Sequence, residues 1–152
     1  MKIRHNWRGL QASENKEKDM ESGRVLLVDD DVCILSLLRF VLEAYAIKTE
    51  KATSGAEAVD LLDKMEFDLI ITDFRMPVMN GVELAKIVKK RFPHIPIIMI
   101  AGEIGPDIFE MAENTGISRV FCKPPNIKEL LATVRHFLFG EISYGKIACC
   151  GR

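Results

Sequence analysis

Asp68-Leu-Ile-Ile-Thr-Asp73-Phe-Arg-Met-Pro77-Val-Met-Asn-Gly81 is a short apolar run that ends on a carboxylate and meets chain-bending residues at once. Met76-Pro77 and Asn80-Gly81 both mark turns. An apolar run of this length with turns behind it reads as a buried strand of a parallel sheet. Asp73 then stands at the carboxyl end of that strand, which is where ligands and chemistry collect in open α/β sheets. Taken alone, an Asp in this place reads first as a cap for the next turn or helix. Its meaning depends on what the other strands deliver beside it.

Upstream, Arg24-Val-Leu-Leu-Val-Asp29 is a strand of the same kind, and Asp29, Asp30 and Asp31 follow in a row. Three adjacent carboxylates repel one another. One of them suffices to cap a helix, so the surplus points to a bound cation. Oxygen donors without His or Cys suit Mg²⁺. Val32 to Tyr45 reads as a helix with Ile34, Leu38, Val41 and Tyr45 on one face. Leu35, Phe40 and Leu42 widen its apolar side into a broad core contact or a docking surface beside the acidic row. Ile47 to Ala52 is a short strand whose Lys48, Glu50 and Lys51 suit a sheet edge. Ser54-Gly-Ala-Glu57 is a capping box that opens a helix to about Met65.

Downstream, Gly81 to Phe92 is predicted helical, with Lys89, Lys90 and Arg91 in the last turn, where the helix dipole favours cations. Pro96-Ile-Ile-Met-Ile-Ala101 is nearly all apolar and reads as a central strand. Pro106 and Gly116 bracket the next helix as a first-turn proline and a terminal glycine. Ile117 to Cys122 is a fifth strand, closed by Lys123-Pro124-Pro125, and Asn126 to about Phe139 is the last helix. Five strands alternating with five helices predict an α/β fold, a doubly wound parallel sheet within residues 23–140.

The chain has 152 residues, 48% hydrophobic, with a net charge of -1. This is the size and balance of one soluble domain, and it asks for neither nucleic acid nor an anionic membrane as partner. No apolar run is long enough for a membrane span, and no signal peptide is legible. Cys33, Cys122, Cys149 and Cys150 lack metal or redox spacing, so a reducing cytoplasm is expected. Residues 1–22 lack periodicity and read as a disordered leader, with Met20 an alternative start; residues 141–152 read as a tail.

In a sheet of order 2-1-3-4-5 the first, third and fifth strands bring Asp29 and Asp30, Asp73, and Lys123 to one crevice. A carboxylate pair there can hold Mg²⁺, a third carboxylate can act as nucleophile, and a lysine can neutralise the charge added. Phosphoryl transfer needs that set.

At these residues the sequence resembles the receiver domain of two-component response regulators, in the stand-alone, chemotaxis-regulator-like form. The match lies in Val28-Asp29-Asp30, in Asp73 with Met76-Pro77 and Asn80-Gly81, and in Lys123-Pro124. It covers about residues 23–140 and implies a flavodoxin-like fold. The resemblance further implies that Asp73 accepts a phosphoryl group from a sensor histidine kinase or a histidine phosphotransfer protein. It implies Mg²⁺ held by Asp30, Asp73 and the backbone carbonyl of Arg75, with Asp29 assisting. It also implies a cis Lys123-Pro124 bond that turns the lysine toward Asp73, an unidentified downstream protein target, and an acceptor rather than a dedicated enzyme. Two other readings stay open: a degenerate receiver that binds protein unphosphorylated, and a hydrolase or flavin protein on the same architecture. Arg75, where an aspartyl-phosphate hydrolase wants a second acid, argues against the first form of the latter. The three acids after the first strand argue against a flavin phosphate.

The family usually carries Ser or Thr where this chain has Ala101, and often an aromatic where it has Val120. The missing hydroxyl removes one hydrogen bond to a phosphate, which leaves the Gly102 amide as a donor. Readout is therefore expected close to the site: the loops after Asp73 and Ala101, and the first helix around Leu35. Arg75 and Glu103, each two residues past a strand end, are expected to meet over the site mouth as an exposed ion pair.

Overall fold

Val25 and Leu27 face one side of the sheet and Leu26 and Val28 the other, and all four are buried. This two-sided burial is what an apolar strand without polar alternation calls for. The computed structural model describes residues 23–141. The expected leader, and the tail with Cys149 and Cys150, lie outside the described residues.

Five strands, β1 (Arg24–Val28), β2 (Lys48–Ala52), β3 (Leu69–Asp73), β4 (Ile97–Ala101) and β5 (Arg119–Cys122), form one parallel sheet in the order β2-β1-β3-β4-β5. The helices are α1 (Val32–Glu43), α2 (Gly55–Lys64), α3 (Gly81–Arg91), α4 (Pro106–Thr115) and α5 (Ile127–Phe139). Helices α1 and α5 cover the face carrying Val25 and Leu27, through Leu35, Leu38, Leu42, Leu130 and Val134. The other face is covered from α2, α3 and α4, through residues such as Leu62, Leu84, Val88 and Ile108. Strand β2 is an edge, as its charges predict, and Lys48 and Lys51 are exposed there.

Several local expectations change. The buried stripe of α1 is Leu35, Leu38 and Leu42, and Ile34 and Val41 are only half-buried. Tyr45 lies past the end of the helix and is exposed. There the Tyr45 and Ala46 amides bond to Leu42 and Glu43, and Ala46 takes φ 59°, which ends the helical path. At α2 the Ser54 hydroxyl caps the Glu57 amide, but Glu57 reaches back one residue further than a capping box does. Its carboxylate takes both the amide and the hydroxyl of Thr53. Those two hydrogen bonds to the charged form hold the Glu57 carboxyl below its usual pKa. The reciprocal box sits at α3, where Asn80 accepts from the Glu83 amide and Glu83 from the Asn80 amide, both at 2.9 Å. Gly116 ends α4 in the left-handed conformation, as its position predicts.

Candidate functional site

The order of the sheet places β1 between β2 and β3, so the chain leaves β1 and β3 toward opposite faces and opens a crevice at their carboxyl ends. The aspartate row divides its work there. Asp31 is the N-cap of α1, its Oδ1 accepting from the Cys33 amide at 2.9 Å and the Ile34 amide at 3.4 Å. Asp29 and Asp30 are left to the crevice. Asp29 is buried and Asp30 exposed, and with buried Asp73 each offers an oxygen within 4.8 Å of the others. The Asp29 Oδ1 accepts from the Asp31 amide at 2.8 Å, which fixes its rotamer.

From the other side, Lys123-Pro124 is a cis peptide, as the resemblance implies. The Lys123 ammonium lies 2.9 Å from Asp73 Oδ1 and 3.5 Å from Asp29 Oδ2. Asp73 Oδ1 also takes the Phe74 amide at 2.9 Å.

Burial is the main reason that the Asp29 carboxyl sits above its ordinary pKa. The charge of Asp73 adds to it, while the Asp31 amide and Lys123 pull the other way. Burial alone would lower Lys123, but the hydrogen bond to Asp73 and the charges of both aspartates outweigh it and leave Lys123 raised. A raised carboxyl weakens the fold: its stability falls as pH climbs from 3.8 through the raised value, and stays lower above it. Asp29→Asn should therefore raise the denaturation midpoint of the chain at neutral pH in chelator. An unchanged or lower denaturation midpoint would count against this electrostatic reading.

Three carboxylates whose oxygens lie this close are a hard-oxygen donor set that suits Mg²⁺. Their mutual repulsion is the physical reason a divalent cation would be welcome.

The loop between β3 and α3 is tightly drawn. Gly81 donates its amide to the Phe74 carbonyl at 2.8 Å, and a Cβ on Gly81 would run into the Asp73 carbonyl oxygen. Val78 holds φ 70° and is fully exposed, and the Met79 amide bonds to the Pro77 carbonyl across it. Such a turn is strained for a β-branched residue.

The fourth strand ends beside the third, with Asp73 opposite Ile100 and Ala101 opposite Cys122. Ala101 is buried, Val120 half-buried and Gly102 exposed. Arg75 and Glu103 meet at 3.9 Å, both highly exposed, as expected from their places. Leu35 is only 1% exposed and so presents no docking surface. The exposed apolar residues of α1 are Val32, Leu37 and Phe40. At period 3.6 the inward stripe 35-38-42 leaves these outside.

A parallel sheet of this order, with acids after β1 and β3 and a lysine after β5, defines a flavodoxin-like signalling domain. The chain belongs to the response regulator receiver domain family, whose model matches residues 25–135. It is 34% identical over 113 residues to the heme response regulator HssR of Staphylococcus epidermidis, covering 74% of this chain and 50% of that protein. It thus spans about half the length of that relative. It is 29% identical over 119 residues to sporulation initiation phosphotransferase F of Bacillus subtilis, covering 78% of this chain and 96% of that one. Among solved structures it resembles Vibrio cholerae chemotaxis protein CheY4, at 32% identity and TM-score 0.73, over 76% of this chain and 98% of that one. No helix among the described residues is long and apolar enough to cross a membrane.

Proposed function

We infer that Asp73 accepts a phosphoryl group from a phosphohistidine, and that residues 23–140 act as a cytoplasmic switch in a two-component phosphorelay. The donor would be a sensor histidine kinase or a histidine phosphotransfer protein. The observation that carries this reading is the Lys123 ammonium 2.9 Å from Asp73, in a crevice where three carboxylates converge. In the transfer a carboxylate oxygen of Asp73 bonds to phosphorus as the phosphorus–nitrogen bond breaks. The departing imidazole nitrogen keeps the electron pair and is protonated. Lys123 stands where the phosphoryl oxygens arrive and takes up part of their charge. Asp29, Asp30, Asp73 and the backbone carbonyl of Arg75 would hold Mg²⁺. When bound, it supplies positive charge to the same oxygens.

Intact-mass measurement with acetyl phosphate and Mg²⁺ tests the reading. One phosphoryl group should be gained, and chelator should suppress it. A folded chain that gains none would instead support the unphosphorylated binding module that Ala101 favours.

The ion pair of Arg75 and Glu103 should hinder water at the acyl phosphate. An exposed pair is worth only ~0.2–1 kcal/mol, so Arg75→Ala or Glu103→Ala should speed dephosphorylation by no more than about fivefold. Rates unchanged in both variants would leave the two as solvated loop charges.

A hydroxyl at position 101 could be drawn toward a bound phosphate, and a methyl cannot. A ligand shifts an equilibrium only by its differential interaction with the two states. Beryllofluoride should therefore change amide exchange in the loops after Asp73 and Ala101, with little change across residues 106–122. Ala101→Thr should enlarge the response in residues 106–122. If native chain and variant respond alike there, Ala101 does not limit the coupling. With Leu35 buried, the partner-facing part of α1 becomes Val32, Leu37 and Phe40.

A further inference from the structure

Thr72 is a polar residue in an apolar layer. It precedes Asp73 on β3, is only 1% exposed, and lies in register between Val28 of β1 and Met99 of β4. Ile70 shares its face two residues back, and Val28, Ile70 and Met99 belong to one buried cluster. Valine has the shape of threonine and would suit such a layer better, because a buried hydroxyl is costly unless it is hydrogen-bonded. What the hydroxyl adds is one bond: Thr72 Oγ1 donates to the Asp73 carbonyl oxygen at 3.0 Å.

That oxygen is closely hemmed in. Gly81 lies against it, so near that a Cβ there would run into it, and β3 ends at this residue. The same peptide unit is held at its other end. The Phe74 amide donates both to the Ile100 carbonyl of β4 and to Asp73 Oδ1, each at 2.9 Å. The plane of the Asp73–Phe74 peptide thus sets where this shared N–H points, and the N–H in turn holds the carboxylate. Oδ1 also receives the Lys123 ammonium at 2.9 Å. Rotation of the peptide plane would weaken the amide bond to Oδ1 and free the carboxylate to turn about its Cβ–Cγ bond.

We propose that Thr72 is a positioning residue for phosphoryl transfer: its buried hydroxyl locks the Asp73–Phe74 peptide and, through the Phe74 amide, sets the orientation in which the Asp73 carboxylate meets phosphorus. This role rests on Asp73 being the acceptor, and Thr72 acts only through the backbone. Its effect is on rate, because transfer is sensitive to small misplacements of the reacting atom.

Three variants separate the hydroxyl from the packing. Thr72→Val keeps the shape and removes the hydroxyl, whereas Thr72→Ser keeps the hydroxyl and removes the methyl. Thr72→Ala differs from Thr72→Ser only by the hydroxyl, so that pair carries the test should Thr72→Val fail to fold. Uptake from acetyl phosphate and Mg²⁺, measured by intact mass per folded chain, should fall about tenfold in Thr72→Val and Thr72→Ala and stay within about twofold of native in Thr72→Ser. In ¹H–¹⁵N spectra the Phe74 amide resonance should move in the first two variants and return in Thr72→Ser, a readout that needs no phosphate. Equal uptake by the native chain and Thr72→Val would overturn the proposal, as would a Phe74 resonance that Thr72→Val leaves in place. Equal slowing of Thr72→Ser and Thr72→Ala would assign the effect to lost packing and overturn it too. A native chain that takes up no phosphoryl group would instead remove Asp73 as acceptor, and the positioning role with it.

Discussion

Asp73→Asn should take up no phosphoryl group from acetyl phosphate and Mg²⁺ while keeping the native fold. Asparagine has the same shape and retains an acceptor for the Phe74 amide, which Asp73 Oδ1 binds at 2.9 Å. It lacks the carboxylate whose electron pair makes the new bond. The neighbouring acids are poor substitutes. Both Asp29 oxygens have fixed tasks, one on the Asp31 amide and the other on Lys123. The bonds that hold Asp73 fall on Oδ1. Asp30 is exposed and, on this reading, holds the metal. Labelling should fall to the detection limit of an intact-mass spectrum, whereas Asp30→Ala should only weaken Mg²⁺ binding and slow uptake. Labelling of Asp73→Asn equal to that of the native chain would remove Asp73 from the role.

The fold was legible because each strand carries its own evidence. The run Leu69 to Thr72 has no polar alternation, which only burial on both faces explains, and the runs of β1 and β4 repeat the pattern. The strand order alone gathers Asp73 and Lys123 at one crevice, and only their direct contact, at 2.9 Å, comes through the resemblance. What escaped was local. The α1 stripe was misplaced because that helix is apolar almost all round, so periodicity does not choose between Ile34-Leu38-Val41 and Leu35-Leu38-Leu42. Packing against Val25 and Leu27 chooses the second. The capping box Asn80-Gly-Val-Glu83 was present in the sequence in standard spacing. Asn-Gly is also a turn signal, which masks the box in the sequence.

Gly81→Ala should cost about 3 kcal/mol, the upper part of the usual range for overpacking. Glycine is needed there for space and not for backbone freedom. Gly81 opens α3, and among the described residues those with positive φ lie elsewhere: Ala46, Val78, Gly116 and Gly140. The Gly81 amide is drawn to the Phe74 carbonyl at 2.8 Å, which brings the start of α3 against the end of β3. A methyl group would collide with the Asp73 carbonyl oxygen and come within 3.2 Å of the Phe74 Cα. Those are backbone atoms of a buried strand end and cannot rotate away as a side-chain tip could. Relief must come from moving α3 or the strand end that carries Asp73. The denaturant midpoint should therefore fall, and phosphoryl uptake by the folded fraction should slow along with it, because Asp73 leaves its place beside Lys123. A loss below about 0.5 kcal/mol, the scale of an ordinary surface substitution, would mean that the close approach of α3 to β3 relaxes without strain. In that case the glycine would not be what sets the position of Asp73.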